Sequence, residues 1–454
     1  MQTLASAGEA PPAAISRGMT TTIPRPGFRR PGPAPTLAPV VTTDAPGTPE
    51  PSVLPAPRPL IRGSVTAKAL HRVWRGGELT IVDSPPGAGK TELVATVVAH
   101  LAIRAGMRIA IGTPTRAQGV ALVHRLMEQI PGDQLACEIK GTELITGHRN
   151  IAGKTPAVSV TTLARMKFVD YSDRDLLVVD EAYQATYAQL SAAARNIPQV
   201  LLVGDPGQIG PVVTIDTSIW SGQKDAPHLR APEVTTGYSD MERFALDVTW
   251  RLGPNSAAAI APLYPFSFHS AGSHRQCITS TGVALGEIEA IEVPRASVAD
   301  DVSTLAVIAD RVDLCVGGAL VTESGISTVT PHDVAVVCSR NSQVSILTGM
   351  LRQRGLSDVR IGTADRLQGG QWPVVIALDP FVGCSEDSEH NTSVGRLCVM
   401  ASRHTTHLSW IHDGGWVEMT AGKDAISKKN RAVRHLLTTA PAITPTTTAA
   451  STAT

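Results

Sequence analysis

The feature that most constrains this chain is eight residues long, Ser84-Pro85-Pro86-Gly87-Ala88-Gly89-Lys90-Thr91. It follows an apolar run, Leu79-Thr80-Ile81-Val82, that reads as a strand, and it opens a helical stretch from about Thr91 to Ala105. A glycine turn between a strand and a helix leaves backbone N–H groups unpaired at the helix start, and these cradle phosphate oxygens. Pro86, Gly87, Ala88, Gly89, Lys90, Thr91 and Glu92 are therefore candidate phosphate-binding residues. In that role Lys90 neutralises β/γ oxygens and the Thr91 hydroxyl holds Mg²⁺. Ser84 stands where the pattern usually has its first glycine. The bland alternative is a chance glycine turn ahead of a helix.

The surrounding pattern predicts an α/β protein. Arg108-Ile109-Ala110-Ile111, Leu176-Leu177-Val178-Val179 and Val200-Leu201-Leu202-Val203 are further strand candidates. Continuous apolar runs of this kind suit strands covered on both faces, hence parallel sheets. The rhythm resumes with Val334-Ala335-Val336-Val337, a helical stretch near Gln343–Arg354, and Val374-Val375-Ile376-Ala377. Two α/β lobes follow, joined between about 240 and 255, whereas Ser267–Thr330, rich in Gly, Ser and Thr, has no assignable element.

Further chemistry sits at strand ends. Asp180-Glu181 closes Leu176–Val179, and an acid there points into the crevice where parallel sheets bind ligands. Asp180 then orients a metal ion and Glu181 is the general base for an attacking water. A solvated strand end is the plain alternative. Gly204-Asp205-Pro206-Gly207-Gln208 follows the next strand and reads either as a tight turn or as a γ-phosphate sensor through Gln208.

In order, these blocks resemble motifs I, II and III of superfamily 1 helicases. Thr249-Trp250-Arg251-Leu252-Gly253-Pro254 resembles motif IV, Gly362-Thr363-Ala364-Asp365-Arg366-Leu367-Gln368-Gly369-Gly370-Gln371 motif V, and Arg396-Leu397-Cys398-Val399-Met400-Ala401-Ser402-Arg403-His404 motif VI. The Gln-Gly of motif V and Ser-Arg-His of motif VI are similar to the 5′→3′ branch, which includes RNA-decay helicases and replicative helicases of positive-strand RNA viruses. The resemblance implies two RecA-like lobes, ATP and Mg²⁺ as cofactors, and single-stranded DNA or RNA in the groove between the lobes. It fits boundaries of 61–247 for the first lobe and 248–437 for the second, while composition marks disordered tails at 1–60 and 438–454. It implies Lys90, Glu181, Gln208, Arg251 and Arg403 as the catalytic set, the two arginines reaching the transferring phosphoryl group from the second lobe. Gly369 and Gln371 are implied at the nucleotide, Gln371 where the family commonly has an acid at the ribose. Pro114 and Thr115, in a block resembling motif Ia, with Thr161 and Thr363, are implied at nucleic-acid phosphates. Surface salt bridges are the alternative for each arginine and helix capping for each threonine, the better reading for Thr161 or Thr162 taken alone. Trp250 and Trp372 read as core residues, with base stacking as the alternative. The segment Ser64–Leu70 lacks the adenine-reading glutamine of the family.

Composition limits this reading. Forty basic and forty acidic residues cancel, so global charge lends nothing to a nucleic-acid track and any basic path is local. Residues 1–60 hold 14 of the 33 prolines, a composition that cannot offset its ordering entropy. Arg17, Arg25, Arg29 and Arg30, with few acids before Asp44, hint at an organelle transit peptide, but proline density opposes the amphipathic helix such a peptide needs. This tail is the expected place for a protein partner, and eight threonines from Thr438 onward mark a second tail. Six scattered cysteines without a C-x-x-C pair read as buried reduced thiols. No apolar run reaches membrane-spanning length, so a soluble cytoplasmic protein with no membrane partner is expected. Three functions stay open: a helicase or translocase, a nucleic-acid-stimulated ATPase that remodels complexes without unwinding, and an ATP-bound switch.

Overall fold

The computed structural model describes residues 55–139, 156–272 and 275–439. The first lobe is built on seven strands: β1 (Leu79–Asp83), β2 (Ile109–Thr113), β3 (Leu135–Cys137), β4 (Val158–Thr162), β5 (Leu176–Asp180), β6 (Gln199–Gly204) and β7 (Met241–Ala245). They pair in the order β3-β4-β2-β5-β6-β1-β7, and every pairing is parallel. The reason lies in the residues. β1, β2 and β5 are buried along their whole length, as strands covered on both faces must be. One apolar cluster, which includes Val82, Val94, Val97, Ile109, Val178 and Leu201, fills one face, and another, which includes Ile81, Leu163, Leu177, Val179 and Leu202, fills the other. The helix Lys90–Ile103 is buried nearly all round because it lies between this sheet and the flanking helices Val65–Trp74 and Arg116–Met127.

The chain leaves the first sheet after Ala245, and the helix Pro254–Ile260 already belongs to the second core. Two short strands, β8 (Val248–Thr249) and β9 (His269–Ser270), pair in this crossing. The unassigned stretch Ser267–Thr330 supplies an antiparallel sheet of β10 (Gln276–Ile278), β11 (Ala284–Leu285), β13 (Ala319–Thr322) and β14 (Gly325–Thr328), together with β12 (Ile288–Glu292) and the helix Val302–Cys315. These strands are short and half-exposed, so their residues lack the apolar runs that announce the other strands. The second parallel sheet has the order β12-β18-β17-β15-β16, with β15 at Val334–Cys338, β16 at Arg360–Thr363, β17 at Trp372–Leu378 and β18 at His404–His412. The expected α/β class with two parallel-sheet lobes is thus observed.

Two boundary details differ from sequence expectation. Arg58, placed in the amino-terminal tail, lies on the first lobe: its N–H donates to Gln129 Oε1 at 3.0 Å and its carbonyl meets His100 Nε2 at 2.8 Å. The last helix, Ala425–Thr438, runs one residue into the expected carboxyl tail because Val433 and Leu437 are core residues. Residues 1–54 and 440–454, which hold most of both expected tails and of the proline segment expected to bind a partner, lie outside the described residues. Among the described residues no helix is long and apolar enough to cross a membrane.

The second core contains one fully buried ion pair. Arg434, with no exposed surface, donates through Nε to Asp379 Oδ2 at 2.8 Å and through Nη2 to Oδ1 at 3.0 Å, and its guanidinium lies 4.3 Å from the Phe381 ring centre. Removing one partner strands a charge away from water, so Asp379→Ala is expected to destabilise by about 3–5 kcal/mol. Urea unfolding followed by circular dichroism checks this, and a loss below about 1 kcal/mol would contradict it.

Candidate active site

Because β5, β6 and β1 are parallel neighbours, the loops after all three emerge at one edge of the sheet. That brings together the glycine loop, Asp180-Glu181 and the turn carrying Gln208. Gly87 and Gly89 have φ of +72° and +88°, a region costly for any residue with a Cβ. Gly89 is the N-cap of the helix Lys90–Ile103, whose free N–H groups and positive dipole end face the loop. Lys90, 9% exposed, has its ammonium 3.8 Å from Glu181 Oε1. Glu181 itself sits at φ +54°, an unusual conformation for a residue other than glycine. Asp180 accepts the Glu181 N–H at 2.9 Å. Burial first, and the Glu181 charge second, push the Asp180 carboxyl up to about 7, against the pull of Lys90.

The second lobe closes the site from the opposite side. Trp250 N–H donates to the Gly87 carbonyl at 3.0 Å, and Thr249 Oγ1 to the Pro86 carbonyl at 2.6 Å. A Cβ on Gly87 would lie 2.2 Å from Arg251 Cβ, so only glycine admits this approach. Arg251 donates through Nε to Gln371 Oε1 at 2.9 Å and through Nη1 to the Ser402 carbonyl at 3.3 Å. Burial, then repulsion from Arg403, lowers its guanidinium to about 9, with Asp205 and Glu181 opposing. Arg403 is 1% exposed, and its hydrogen bonds run to the Gly370 carbonyl at 3.4 Å and Ser402 Oγ at 3.3 Å, leaving Nε without a partner. Neither arginine has a carboxylate within ion-pair distance among the described residues. A buried guanidinium at Arg403 beside a half-buried one at Arg251, with no carboxylate partner among the described residues, is an arrangement that favours an anion. Next to them His404 is pushed down to about 3 by burial first, then by His407, Arg251 and Arg403, and it bonds Ser256 Oγ at 2.6 Å.

Gln208 joins the lobes. Its Nε2 donates to Asp205 Oδ2 at 2.9 Å and its Oε1 accepts from Gln368 Nε2 at 3.2 Å. Tyr264, from the second lobe, donates to Asp205 Oδ1 at 2.9 Å and meets Cys398 Sγ at 3.2 Å. Sequence reasoning missed this contact and the one beneath the glycine loop. There the buried Asp83 accepts from Tyr183 Oη at 2.8 Å and pairs with Arg243 at 2.7 Å. An acid closing the apolar strand Leu79–Val82 was the available signal, since such a carboxylate must find partners.

The other sequence candidates fall as follows. Glu92 turns from the loop toward Arg58, at 2.8 Å, and Arg125, at 3.8 Å. Gly369, at φ +89°, precedes Gln371 on the turn into β17. Pro114 and Thr115 follow β2, Thr161 is the penultimate residue of β4, and Thr363 ends β16, so all four sit at carboxyl ends of parallel strands. Thr115 is exposed and caps the helix Arg116–Met127. The capping reading fails at Thr161, which is buried in the strand with an unpartnered hydroxyl, and Thr162 occupies the N-cap position without a side-chain bond. The core reading fails for Trp250, which is 64% exposed because its N–H is tied to Gly87 while Arg251 takes the inward direction; Trp372 does pack against the second core.

Fold and site together define a P-loop, nucleotide-using protein with two RecA-like parallel-sheet lobes. Residues 66–222 match the AAA domain family. Over 158 residues the chain is 30% identical to the RecBCD enzyme subunit RecD of Mycolicibacterium smegmatis (strain ATCC 700084 / mc(2)155), an alignment that covers 32% of this chain and 28% of that protein. The chain therefore spans less than a third of that relative's length. Similar solved structures include the PRRSV helicase (TM-score 0.41, 17% identity, 77% of this chain and 54% of that one). Arterivirus nonstructural protein 10 (helicase) gives a TM-score of 0.43 at 17% identity, covering 78% and 63%. Its complex with DNA gives 0.42 at 16% identity, covering 80% and 65%.

Proposed function

We propose that this protein is an ATP-dependent helicase or translocase that couples hydrolysis to movement along single-stranded nucleic acid. The observation that carries the reading is the meeting of the half-buried Arg251 and the buried Arg403 of the second lobe, neither with a carboxylate partner among the described residues, with the Lys90–Glu181 pair of the first. A triphosphate supplies the anion they lack, with Lys90 and the Gly87–Thr91 amides on its phosphates and Glu181 placed as base for the attacking water. Gln208 and Gln371 touch both the site and the second lobe's motif residues, which suits a γ-phosphate sensor and a nucleotide contact. The Thr91 hydroxyl and the buried Asp180 carboxylate are hard oxygen donors that fit Mg²⁺, whose chemistry is to neutralise charge on the phosphates. Pro114, Thr115, Thr161 and Thr363, gathered at strand ends of both lobes, are the proposed contacts to nucleic-acid phosphates. The partial similarity to RecD, a subunit of the RecBCD enzyme, agrees with this. We place its work in the cytoplasm.

The test is ATP hydrolysis with and without single-stranded DNA and RNA, beside Lys90→Ala, and strand displacement on a tailed duplex. Polymer-stimulated hydrolysis that disappears in Lys90→Ala is the expected result. Stimulation without displacement would favour a remodelling ATPase. Tight ATP binding that needs Lys90 but gives no turnover would overturn the motor in favour of a switch.

A further inference from the structure

A line of side-chain hydrogen bonds runs from the end of β2 to the proposed general base, and the chemistry of hydrolysis does not require it. It begins at Thr115, whose backbone N–H donates to Gln118 Oε1 at 3.0 Å and whose hydroxyl lies 2.8 Å from the same atom. Gln118 then donates through Nε2 to Gln184 Oε1 at 3.1 Å, an interaction across 66 residues of chain. Gln184 donates through Nε2 to Glu181 Oε2 at 3.5 Å, and the other oxygen of Glu181 faces Lys90 at 3.8 Å. Neighbouring parallel strands make this path: β2 pairs with β5, so the loops that follow them lie side by side. Glu181, at φ +54°, opens the turn Ala182–Gln184 and brings Gln184 back toward its own carboxylate.

Each link has a direction. An amide N–H donated to a carboxylate oxygen occupies a lone pair that a base must offer to water. Gln184 therefore restrains Glu181. Gln184 is itself oriented by Gln118, and Gln118 by the exposed Thr115. A phosphate oxygen that takes the Thr115 N–H and hydroxyl removes both donors from Gln118 Oε1, the amide reorients, and Gln184 loses its partner.

We infer that Gln118 and Gln184 are positioning residues that hold Glu181 back until nucleic acid occupies Thr115. This rests on the proposed roles of Glu181 and Thr115. Gln118 and Gln184 are both half-buried at the surface of the lobe, so alanine variants are expected to keep the fold, which circular dichroism checks.

The experiment measures kcat and KM for ATP without polymer and at saturating poly(dT) and poly(U), in the wild-type protein, Gln118→Ala, Gln184→Ala and the double variant. Each single variant is expected to raise the unstimulated kcat by about tenfold at unchanged KM, the size of a typical coupling free energy. The polymer-stimulated rate stays close to that of the wild type, so the stimulation ratio collapses. The double variant is expected to match either single one, because both interrupt the same path. A residue with a merely structural role would not raise kcat and would not show this non-additivity. Wild-type stimulation that survives unchanged in both single variants, or effects that add in the double, would overturn the relay and leave the motor reading intact. A wild-type protein that hydrolyses ATP without response to either polymer would overturn the nucleic-acid reading and the relay with it.

Discussion

Arg403→Ala is expected to slow ATP hydrolysis by about 10³–10⁵-fold, the contribution of an arginine that stabilises charge on a transferring phosphoryl group. The guanidinium is 1% exposed, has an unpartnered Nε, and shares its surroundings with Arg251, whose charge it repels. Such a placement is costly to the folded protein unless an anion enters, and the cost is recovered most fully when negative charge is greatest. The loss should therefore fall on kcat, with nucleotide affinity changed far less. Arg403→Lys is expected to recover little, since an ammonium keeps the charge but not the planar fork held between the Gly370 carbonyl and Ser402 Oγ. Steady-state hydrolysis beside equilibrium binding of a fluorescent nucleotide reads both quantities. A kcat within tenfold of the wild type would remove Arg403 from the proposed catalytic set.

Glu181→Gln is expected to lower kcat by about 10²–10⁴-fold, the usual contribution of a positioned general base. The substitution is close to isosteric, so Gln184 and Lys90 keep a neighbour of the same shape while the proton acceptor is lost. Nucleotide binding should persist or tighten, because the Lys90 ammonium no longer has the carboxylate at 3.8 Å competing with a phosphate. Lys90→Ala should instead lose binding as well as turnover. The contrast is the informative result: a Glu181→Gln protein that binds ATP poorly would show that Glu181 shapes the pocket rather than accepting a proton.

Much of the site was readable because its chemistry is local in sequence. The glycine loop, Asp180-Glu181 and the Gln208 turn each follow an apolar strand directly, and a parallel sheet carries all such strand ends to one edge. The contacts of Asp83 were not readable in the same way, since Tyr183 and Arg243 lie 100 and 160 residues away. The same holds for Tyr264 on Asp205 and for Gln118 on Gln184. The antiparallel strands between Gln276 and Thr328 escaped because half-exposed residues carry no apolar run. Trp250 was misread because exposure there depends on a backbone bond to Gly87, which lies in the other lobe.

By itself the sequence determined the elements and the order of the chemical groups, because apolar periodicity and glycine turns act within a few residues. Tertiary structure decided which groups meet. It set Arg251 on Gly87, left Arg403 Nε without a partner among the described residues, turned Glu92 toward Arg58 and ran two glutamines from Thr115 to Glu181. Hydrogen bonds and charge pairs act over a few ångströms of space irrespective of chain separation, and only the packed sheets bring those partners within reach.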